Sequence, residues 1–390
     1  MSFKAADVGI VPEAWDVEEL RYFLDLITYG FTNPMPDSDE GPWKLTAKDV
    51  VNGRINYGTA RRTTVEAFRS KLTDKSRPRV GDVLLTKDGS IGRGAGVDRD
   101  GVCINQSVAL LRPKRNINPE FLKYLLISPH YQRVMEGDSD GSTIKHIYIT
   151  RVDKMQVAVP PLAEQSEILK VVGTIDDRIT LLRETNASLE AIAQALFKSW
   201  FVDFDPVRAK AEGRQPEGMD ATTAALFPDS FEESELGLVP RGWHMGTVSD
   251  LGEVICGKTP PTSQPKNYGD DVPFITIPDM HGRLVVTSTG RSLSRAGADS
   301  QKKKYLPAGS VCVSCIATPG LVVRVSSEAQ TNQQINSVVP LEKWGKSFPL
   351  FLLRRIGDAV RVSGSGGSVF HNLSKSGFES LKVLLVHQEL

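Results

Sequence analysis

The sequence predicts an α+β protein in which two similar modules are joined by one long, heptad-patterned helix of the coiled-coil type. Three observations predict it: an internal repeat, a stretch of apolar heptads between the two copies, and short strand patterns bounded by glycine and proline within each copy. The 390 residues suffice for two to three domains, and a hydrophobic content of 40% is that of an ordinary globular protein.

Four pairs of segments, in the same order in both copies, make up the repeat. Residues 9–15, GIVPEAW, recur as residues 237–243, GLVPRGW, and a glycine-rich pattern at Gly81 recurs at Gly309; both offsets are 228 residues. Two later pairs, at offsets of 227 and 226 residues, are Asn105-Gln106 with Asn332-Gln333 and Ser142 with Ser368. Four anchors in order are hard to obtain by chance, so we predict two diverged copies of one module.

Each copy is predicted to contain short strands, one helix, a Gly-Ser loop and a final strand. In the first copy the helix spans residues 119–135, because Asn118 suits the N-cap and Pro119 suits the first helical position. Residues 347–361 take that place in the second copy.

One uninterrupted helix is predicted for residues 162–201, which contain no proline and a single glycine, Gly173. Apolar side chains four and three residues apart form a heptad seam, with Asn186 in the same register: Ile168, Val172, Ile175, Ile179, Leu182, Leu189, Ala193, Leu196 and Trp200. Such a repeat favours a second helix as partner, although an ordinary core helix between two domains is the alternative. Forty residues of helix measure about 60 Å, so the segment can act as a ruler.

These patterns divide the chain into a first module, a spacer helix, an acidic linker, a second module and a short final segment: residues 1–160, 161–204, 205–236, 237–386 and 387–390. Acidic residues outnumber basic ones in the linker, which is predicted to be partly ordered. The aromatic residues directly before it, Trp200, Phe201 and Phe204, suit docking on another surface.

Composition excludes several classes of protein. A net charge of +0 argues against a protein that coats nucleic acid without discrimination. Because the chain has no signal-like start and no apolar run of about 18 residues, we expect a cytoplasmic protein. The four cysteines are too scattered for a disulfide framework. Cys312 and Cys315 form a C-x-x-C without a second half-site, so no metal site is predicted.

Residues 252–259, GEVICGKT, match the P-loop pattern letter for letter. A P-loop needs its Lys-Thr to begin a helix, whereas Pro260 and Pro261 follow here at once. We interpret the segment as a strand that enters a proline-stiffened loop with binding potential. Motifs of metalloproteases, serine hydrolases and dinucleotide-binding enzymes are missing, so catalysis by this chain is not predicted.

Polar side chains around glycine turns are the candidates for binding. Lys87, Ser90 and Arg93 surround a tight turn between strands, where contacts with phosphates and bases would suit them, although a hairpin with incidental polar residues explains them equally well. The amides suit adenine recognition or turns, and the basic pairs suit backbone contacts or solvent. The full set is Arg61, Arg62, Lys87, Ser90, Arg93, Asn105, Gln106, Ser142, Lys145, His146, Lys258, Thr259, Lys266, Tyr268, Thr318, Arg324, Asn332, Gln333, Ser368 and His371.

The repeat, the PPLAEQ entry to the helix at residues 160–165, the SWFVDFDPV exit and the GLVPRGW restart closely resemble specificity subunits of type I restriction-modification enzymes. The resemblance covers nearly the whole chain. It implies two target-recognition domains that each read one half of a split site on double-stranded DNA, with the turns and strands above as DNA-facing candidates. It also implies methyltransferase and restriction/translocase subunits as partners, with S-adenosylmethionine, Mg and ATP on those partners and none in this chain.

The family usually has a second helical region after its second recognition domain, and by the repeat offset the chain stops where that region would begin. We therefore expect the distal helix to be missing and the seam to pair with another chain, either a second copy or a methyltransferase subunit. Two other functions stay open: a helix-linked protein-interaction scaffold, and a self-contained DNA methyltransferase, which is disfavoured because its motifs are missing.

Overall fold

A computed structural model describes residues 2–6, 8–139, 146–235, 237–362 and 373–386, with side chains described outside 358–362. The chain forms two compact units, Met1–Thr185 and Asn186–Leu390, here called the first and second unit. Within the described residues the helices are α1 Val65–Ser70, α2 Pro119–Ile127, α3 Pro129–Gly137, α4 Ile149–Val152, α5 Leu162–Phe201, α6 Asp205–Ala211, α7 Ala221–Leu226, α8 Val248–Leu251, α9 Ile277–Met280, α10 Arg295–Asp299, α11 Phe348–Val362 and α12 Lys375–Glu379.

The strands of the first unit are short. They are β1 Phe3–Ala6, β2 Gly9–Pro12, β3 Asp16–Glu19, β4 Leu24–Tyr29, β5 Ser38–Leu45, β6 Val50–Val51, β7 Arg54–Ile55, β8 Arg61–Arg62, β9 Val83–Thr86, β10 Gly94–Gly96, β11 Val102–Ile104, β12 Val108–Pro113 and β13 Gln156–Val159.

The strands of the second unit follow a similar succession. They are β14 Phe231–Ser234, β15 Gly237–Pro240, β16 His244–Thr247, β17 Gly252–Cys256, β18 Tyr268–Ile275, β19 Val285–Val286, β20 Ser292–Leu293, β21 Val311–Ser314, β22 Val322–Val325, β23 Gln330–Thr331, β24 Ile335–Pro340 and β25 Lys382–Leu385.

Sheet pairing confirms the α+β fold and the repeat. In the first unit the central sheet has the order β10-β9-β12-β4, and a second sheet has the order β11-β5-β8. In the second unit these become β17-β24-β21-β22-β19 and β20-β18-β23. The entry and exit strands also pair alike, since β13 is antiparallel to β3 and β25 is antiparallel to β16.

Each unit has its own apolar core because the strand residues that face the helices are aliphatic or aromatic. In the first unit Leu85, Leu111 and Leu122 are fully covered. In the second unit Val313 and Leu353 occupy the comparable interior. Each central sheet is thereby fixed against the helix that follows it, which holds the turns at the strand ends in place.

A glycine directly follows β4 in the first unit and β17 in the second, because another backbone segment passes too close for a side chain. A Cβ atom on Gly30 would lie 1.8 Å from the carbonyl oxygen of Ile104. A Cβ atom on Gly257 would lie 2.1 Å from the carbonyl oxygen of Asn332. No side chain fits at either position, so this crossing of strands belongs to the framework that the copies share.

Two sequence predictions need correction. The helix predicted for residues 119–135 is two helices, α2 and α3, because Pro129 cannot continue a helix and forces Ser128 into an extended conformation, with ψ 150°. The segment 205–236 is more ordered than predicted: it contains α6, α7 and β14, and Val207 and Phe227 are buried in the core of the second unit. Apolar residues at helical spacing outweigh its acidic composition.

The prediction of one long helix is confirmed, since α5 spans Leu162–Phe201. The helix predicted for residues 347–361 is also present, as α11. None of the helices in the described ranges is both long enough and apolar enough to cross a membrane.

Candidate nucleic-acid interface

The turn between β9 and β10 carries the first group of predicted contact residues. Ser90 and Arg93 are exposed there, whereas Lys87 is buried, with 7% of its surface exposed. The Lys87 ammonium lies 3.3 Å from the Asp88 carboxylate and 5.3 Å from the centre of the Tyr29 ring. Lys87 therefore has a counter-charge and an aromatic partner within the unit, and Ser90 and Arg93 are the candidates that face solvent.

His146 lies beside the same turn. Its Nδ1 contacts the carboxylate of Asp88, and the two residues form an isolated antiparallel bridge. The backbone N–H of Ile147 donates to the carbonyl of Lys87 at 3.0 Å, so the segment that enters α4 is tied to the turn. Ser142 and Lys145, two further candidates, lie outside the described residues.

The two predicted asparagines hold turns. The side-chain oxygen of Asn105 accepts hydrogen bonds from the N–H of Ser107 at 3.1 Å and from its hydroxyl at 2.6 Å. The side-chain oxygen of Asn332 accepts one from the N–H of Gln334 at 3.1 Å. This is the turn-stabilising role that the sequence left open, and it occupies the acceptor that adenine recognition would use.

The two predicted glutamines are exposed instead. Gln106 faces solvent in the first unit. Gln333 faces solvent in the second, where its side-chain oxygen accepts a hydrogen bond from the Thr259 hydroxyl at 2.6 Å. Lys258 and Lys266, in the same proline-stiffened loop as Thr259, are exposed as well. The structure thus brings Gln333 and Thr259 together at one end of the second unit's central sheet.

The loop after β17 is folded back on itself by its own polar groups. The Tyr268 hydroxyl donates to the carbonyl of Pro260 at 2.9 Å, and the side-chain amide of the buried Asn267 donates to the carbonyl of Pro261 at 3.1 Å. Tyr268, a predicted contact, therefore contributes to the shape of the loop. Residues 252–256 are strand β17, as the rejection of a P-loop requires, and Lys258 follows in a loop.

Arg61 and Arg62 occupy different environments on the edge strand β8. Arg61 is exposed and lies 3.3 Å from the Asp37 carboxylate. The Arg62 guanidinium lies 4.3 Å from the centre of the Trp43 ring and donates to the carbonyl of Gly41 at 3.0 Å. Arg62 therefore braces the sheet, and Arg61 is the more accessible of the two.

The turn between β21 and β22 is the second unit's counterpart of the 86–93 turn. Thr318 is half-buried there, and Arg324 is half-buried in β22, where it pairs with Val311 and Val285. Ser368 and His371, also predicted contacts, lie outside the described residues.

The C-x-x-C cysteines lie inside the second unit's sheet. Cys312 is completely buried and its thiol is 3.3 Å from the Ser337 hydroxyl, while Cys315 accepts a hydrogen bond from Asn336 at 3.3 Å. Burial raises the pKa of Cys312 to about 12 and that of Cys315 to about 11, so both thiols stay protonated at neutral pH. They are core residues.

Sequence analysis missed two buried hydroxyl groups, on Thr86 and Ser314, at the start of the equivalent turns. Neither exposes any surface, and each hydrogen-bonds across its own turn. The repeat carried a signal for them, since the two residues are 228 positions apart and both bear a hydroxyl group.

Most of the predicted seam on α5 is exposed. Ile175, Leu182 and Leu189 have 55%, 48% and 58% of their surface exposed, and Asn186 is exposed in the same stretch. Ile179 and Leu196 are exposed too, Val172 is half-buried, and Ile168 and Trp200 pack against the cores near the two ends. A row of exposed aliphatic side chains at heptad spacing is typical of a helix that binds another helix.

The first turns of α5 are fixed to the first unit by polar contacts. Gln165 is fully buried: its side-chain oxygen accepts from the N–H of Asn118 at 2.7 Å, and its amide donates to the carbonyl of Pro160 at 2.8 Å. The Tyr124 hydroxyl donates to Asp176 at 2.7 Å, about three turns further along α5. The glutamine of the PPLAEQ segment is therefore a junction between helix and module.

The last turns of α5 are fixed to the second unit by a different set of contacts. Glu190 pairs with Arg354 at 2.6 Å, with both side chains mostly covered. Phe197 packs with its ring centre 5.9 Å from those of Phe348 and Phe351. Both ends of α5 are thus built into the unit to which they belong.

Comparison with known proteins gives one consistent family. A family model described as the type I restriction modification DNA specificity domain matches residues 15–191 and 240–389. The type I restriction enzyme HindI specificity subunit of Haemophilus influenzae is 39% identical over 336 residues, which cover 75% of this chain and 73% of that protein. A putative type I restriction enzyme specificity subunit, MjaX of Methanocaldococcus jannaschii, is 24% identical over 98% of this chain and 86% of its own length.

A solved structure agrees in fold. The type I restriction-modification S subunit from M. genitalium superposes with a TM-score of 0.50 at 16% identity, over 95% of this chain and 84% of that one. The relatives above are named as specificity subunits, in agreement with the sequence-based prediction of a non-catalytic chain.

Proposed function

Since the chain belongs to the type I restriction-modification DNA specificity family, we propose that it recognises a bipartite DNA target and directs methyltransferase and restriction subunits to it. Each unit reads one short block of sequence on double-stranded DNA. The blocks differ because the exposed side chains of the two units differ. Chemistry takes place on the partner subunits in the cytoplasm, and S-adenosylmethionine, Mg and ATP bind there.

The observation that carries this proposal is one framework built twice with different exposed residues. β9, β10 and β12 pair as β21, β22 and β24 do, and the turns at their ends have matching backbone hydrogen bonds. Both units keep an exposed glutamine there, Gln106 or Gln333, while the other exposed groups differ: Ser90 and Arg93 in the first unit, and Lys258 in the second. A protein that reads two unlike sequences with one fold needs this combination.

The spacer helix has two roles in this proposal. Its length sets the number of base pairs left unread between the blocks, and one added turn would lengthen that gap. Its exposed seam around Ile175, Leu182 and Leu189 binds helices of the methyltransferase subunit. Asn186 fixes the register of that contact, as a polar residue in an apolar seam does.

Partner binding can be tested apart from DNA binding. Replacing Leu182 and Leu189 together by serine removes exposed apolar surface without touching either core, so the chain should stay folded and lose the methyltransferase subunit in size-exclusion chromatography. Replacement of Lys170 and Glu167, an exposed pair on the same helix, is the control. If light scattering shows that the serine variant instead dissolves a dimer of this chain, the seam binds a second copy and the assignment to the methyltransferase is wrong.

The function as a whole is tested by selection from a random DNA library. The full chain, assembled with its methyltransferase subunits, should enrich two short blocks separated by a constant number of unspecified base pairs. A single block, or no enrichment, contradicts the proposal. No enrichment together with stable partner assembly favours the protein-interaction scaffold.

A further inference from the structure

The turn between β9 and β10 is closed by the buried hydroxyl of Thr86. That oxygen accepts a hydrogen bond from the N–H of Arg93 at 3.0 Å and donates one to the carbonyl of Ser90. The backbone reinforces the closure, since the N–H of Gly92 donates to the carbonyl of Thr86 at 2.8 Å. One side chain thus joins both sides of the turn from beneath.

Ser314 closes the turn of the second unit in the same way. Its hydroxyl accepts from the N–H of Leu321 at 2.9 Å and donates to the carbonyl of Thr318 at 2.6 Å. The N–H of Gly320 donates to the carbonyl of Ser314 at 2.9 Å. Each residue in these hydrogen bonds lies 228 positions after its counterpart in the first unit, so the two turns have the same hydrogen-bond arrangement.

At a glycine, each turn also packs closely against a helix, which is α3 in the first unit and α11 in the second. Gly92 has φ +82° and Gly320 has φ +86°, conformations that favour glycine. A Cβ atom on Gly92 would lie 2.6 Å from the side-chain oxygen of Gln132, whose amide donates to the carbonyl of Gly92 at 2.8 Å. A Cβ atom on Gly320 would lie 2.8 Å from the carbonyl of Gly357. The backbone at the base of each turn therefore has little conformational freedom.

The tips of the turns differ in side chain and share a left-handed backbone conformation. Gly89 has φ +74°, and its counterpart Ala317 has φ +66°, which is costly for a residue with a side chain. The tips continue with Ser90 in one unit and with Thr318 and Pro319 in the other. Such a conformation persists when its surroundings enforce it, and the buried hydroxyl beneath each tip is placed to do so.

We infer that Thr86 and Ser314 are positioning residues for sequence recognition, each holding the tip of its own turn in the shape that reads one block of the target. The inference rests on the proposed function. Neither hydroxyl is exposed, so neither contacts DNA, and each acts through residues 87–91 or 315–319. Removing a hydroxyl leaves a backbone N–H of the turn without its partner and releases the tip.

Discrimination within each block tests the inference. The affinity of the full chain, assembled with its methyltransferase subunits, is measured for the selected target and for targets with single base-pair changes in either block. Thr86→Val should lower discrimination roughly tenfold in one block, and Ser314→Ala should do so in the other, the size expected when one buried hydrogen bond is lost. Thr86→Ser and Ser314→Thr keep the hydroxyl and should retain wild-type discrimination.

A second variant keeps the test decisive if Thr86→Val does not fold. Gln132→Ala removes the amide that holds Gly92 from the other side, and it should lower discrimination in the block assigned to the first unit. Unchanged discrimination, equal loss in both blocks, or loss in the same block for both hydroxyl variants overturns the inference. If the unaltered complex enriches no target, the proposed function fails and the inference falls with it.

Discussion

The two turns that are built alike differ most in charge. Lys87, Asp88 and Arg93 lie in the turn of the first unit, with His146 beside it, whereas residues 315–320 of the second unit carry no charged side chain. The hydrogen bonds that close the turns are nevertheless the same. The two copies therefore share the hydroxyl groups that close the turns and differ in the side chains at the tips.

The same difference extends to the turn before β9 and β21. In the first unit the Asp82 carboxylate is 4% exposed and makes two hydrogen bonds with Arg112, at 2.9 and 2.8 Å. The equivalent positions in the second unit hold Ser310, whose hydroxyl donates to the carbonyl of Pro307 at 2.7 Å, and Val339. One framework thus tolerates either a buried ion pair or a hydroxyl and an aliphatic side chain.

The largest effect that we expect comes from breaking this pair. Asp82→Ala leaves the Arg112 guanidinium without its counter-charge and should lower the free energy of unfolding of the first unit by about 3 to 5 kcal/mol. Ser310→Ala should lower that of the second unit by only about 1 kcal/mol. Urea unfolding followed by hydrogen exchange in peptides from each unit measures both values.

The double variant Asp82→Ser with Arg112→Val is the control, because it introduces the residue types that the second unit has at the equivalent positions, Ser310 and Val339. It should cost about 1 kcal/mol or less, since a buried ion pair is often replaceable by well-packed neutral groups. A double variant as unstable as Asp82→Ala would mean that the two frameworks are not interchangeable here.

A smaller loss should be equal in the two units. Gly30→Ala and Gly257→Ala place a Cβ atom against a backbone carbonyl, and each should destabilise its own unit by about 1 to 3 kcal/mol in the same measurement. Gly173→Ala, in α5 with open space around it, should be neutral or slightly stabilising. If the two substitutions lowered the free energy of unfolding by clearly different amounts, Gly30 and Gly257 would not have equivalent roles in the two units.

The smallest effect concerns DNA and should be confined to the first unit's turn. Arg93 stands at its base, and Leu321 stands in the equivalent place. We therefore expect Arg93 to contact phosphate, so that Arg93→Ala weakens binding of all sequences by about 1 kcal/mol and reduces the salt dependence of binding by about one unit of slope. Arg69→Ala, an exposed arginine on α1, should leave both unchanged. Relaxed specificity at one base pair would assign Arg93 to base recognition instead.

Much of the architecture could be predicted because it depends on local patterns. The heptad spacing and the lack of proline determined α5 from Leu162 to Phe201, and the repeated anchors identified two modules of one fold. The break between α2 and α3 was also readable, since Pro129 stands in the middle of the predicted helix.

Much of the candidate surface could not be predicted, because the partners of a polar side chain are distant in sequence. Arg62 stacks on Trp43, 19 positions away, and Lys87 lies against Tyr29, 58 positions away. A basic residue that faces solvent and one that braces a sheet look identical in the sequence. The fold decides between them.

The central claim is that each unit reads its own block through a tip mounted on a shared framework. Replacing residues 87–91 by the sequence of residues 315–319 exchanges the tip and keeps Thr86, Gly92 and the strands. Library selection with the methyltransferase subunits present should then return a target changed in one block, with the other block and the gap unaltered. An unchanged target, or changes in both blocks, would contradict the account.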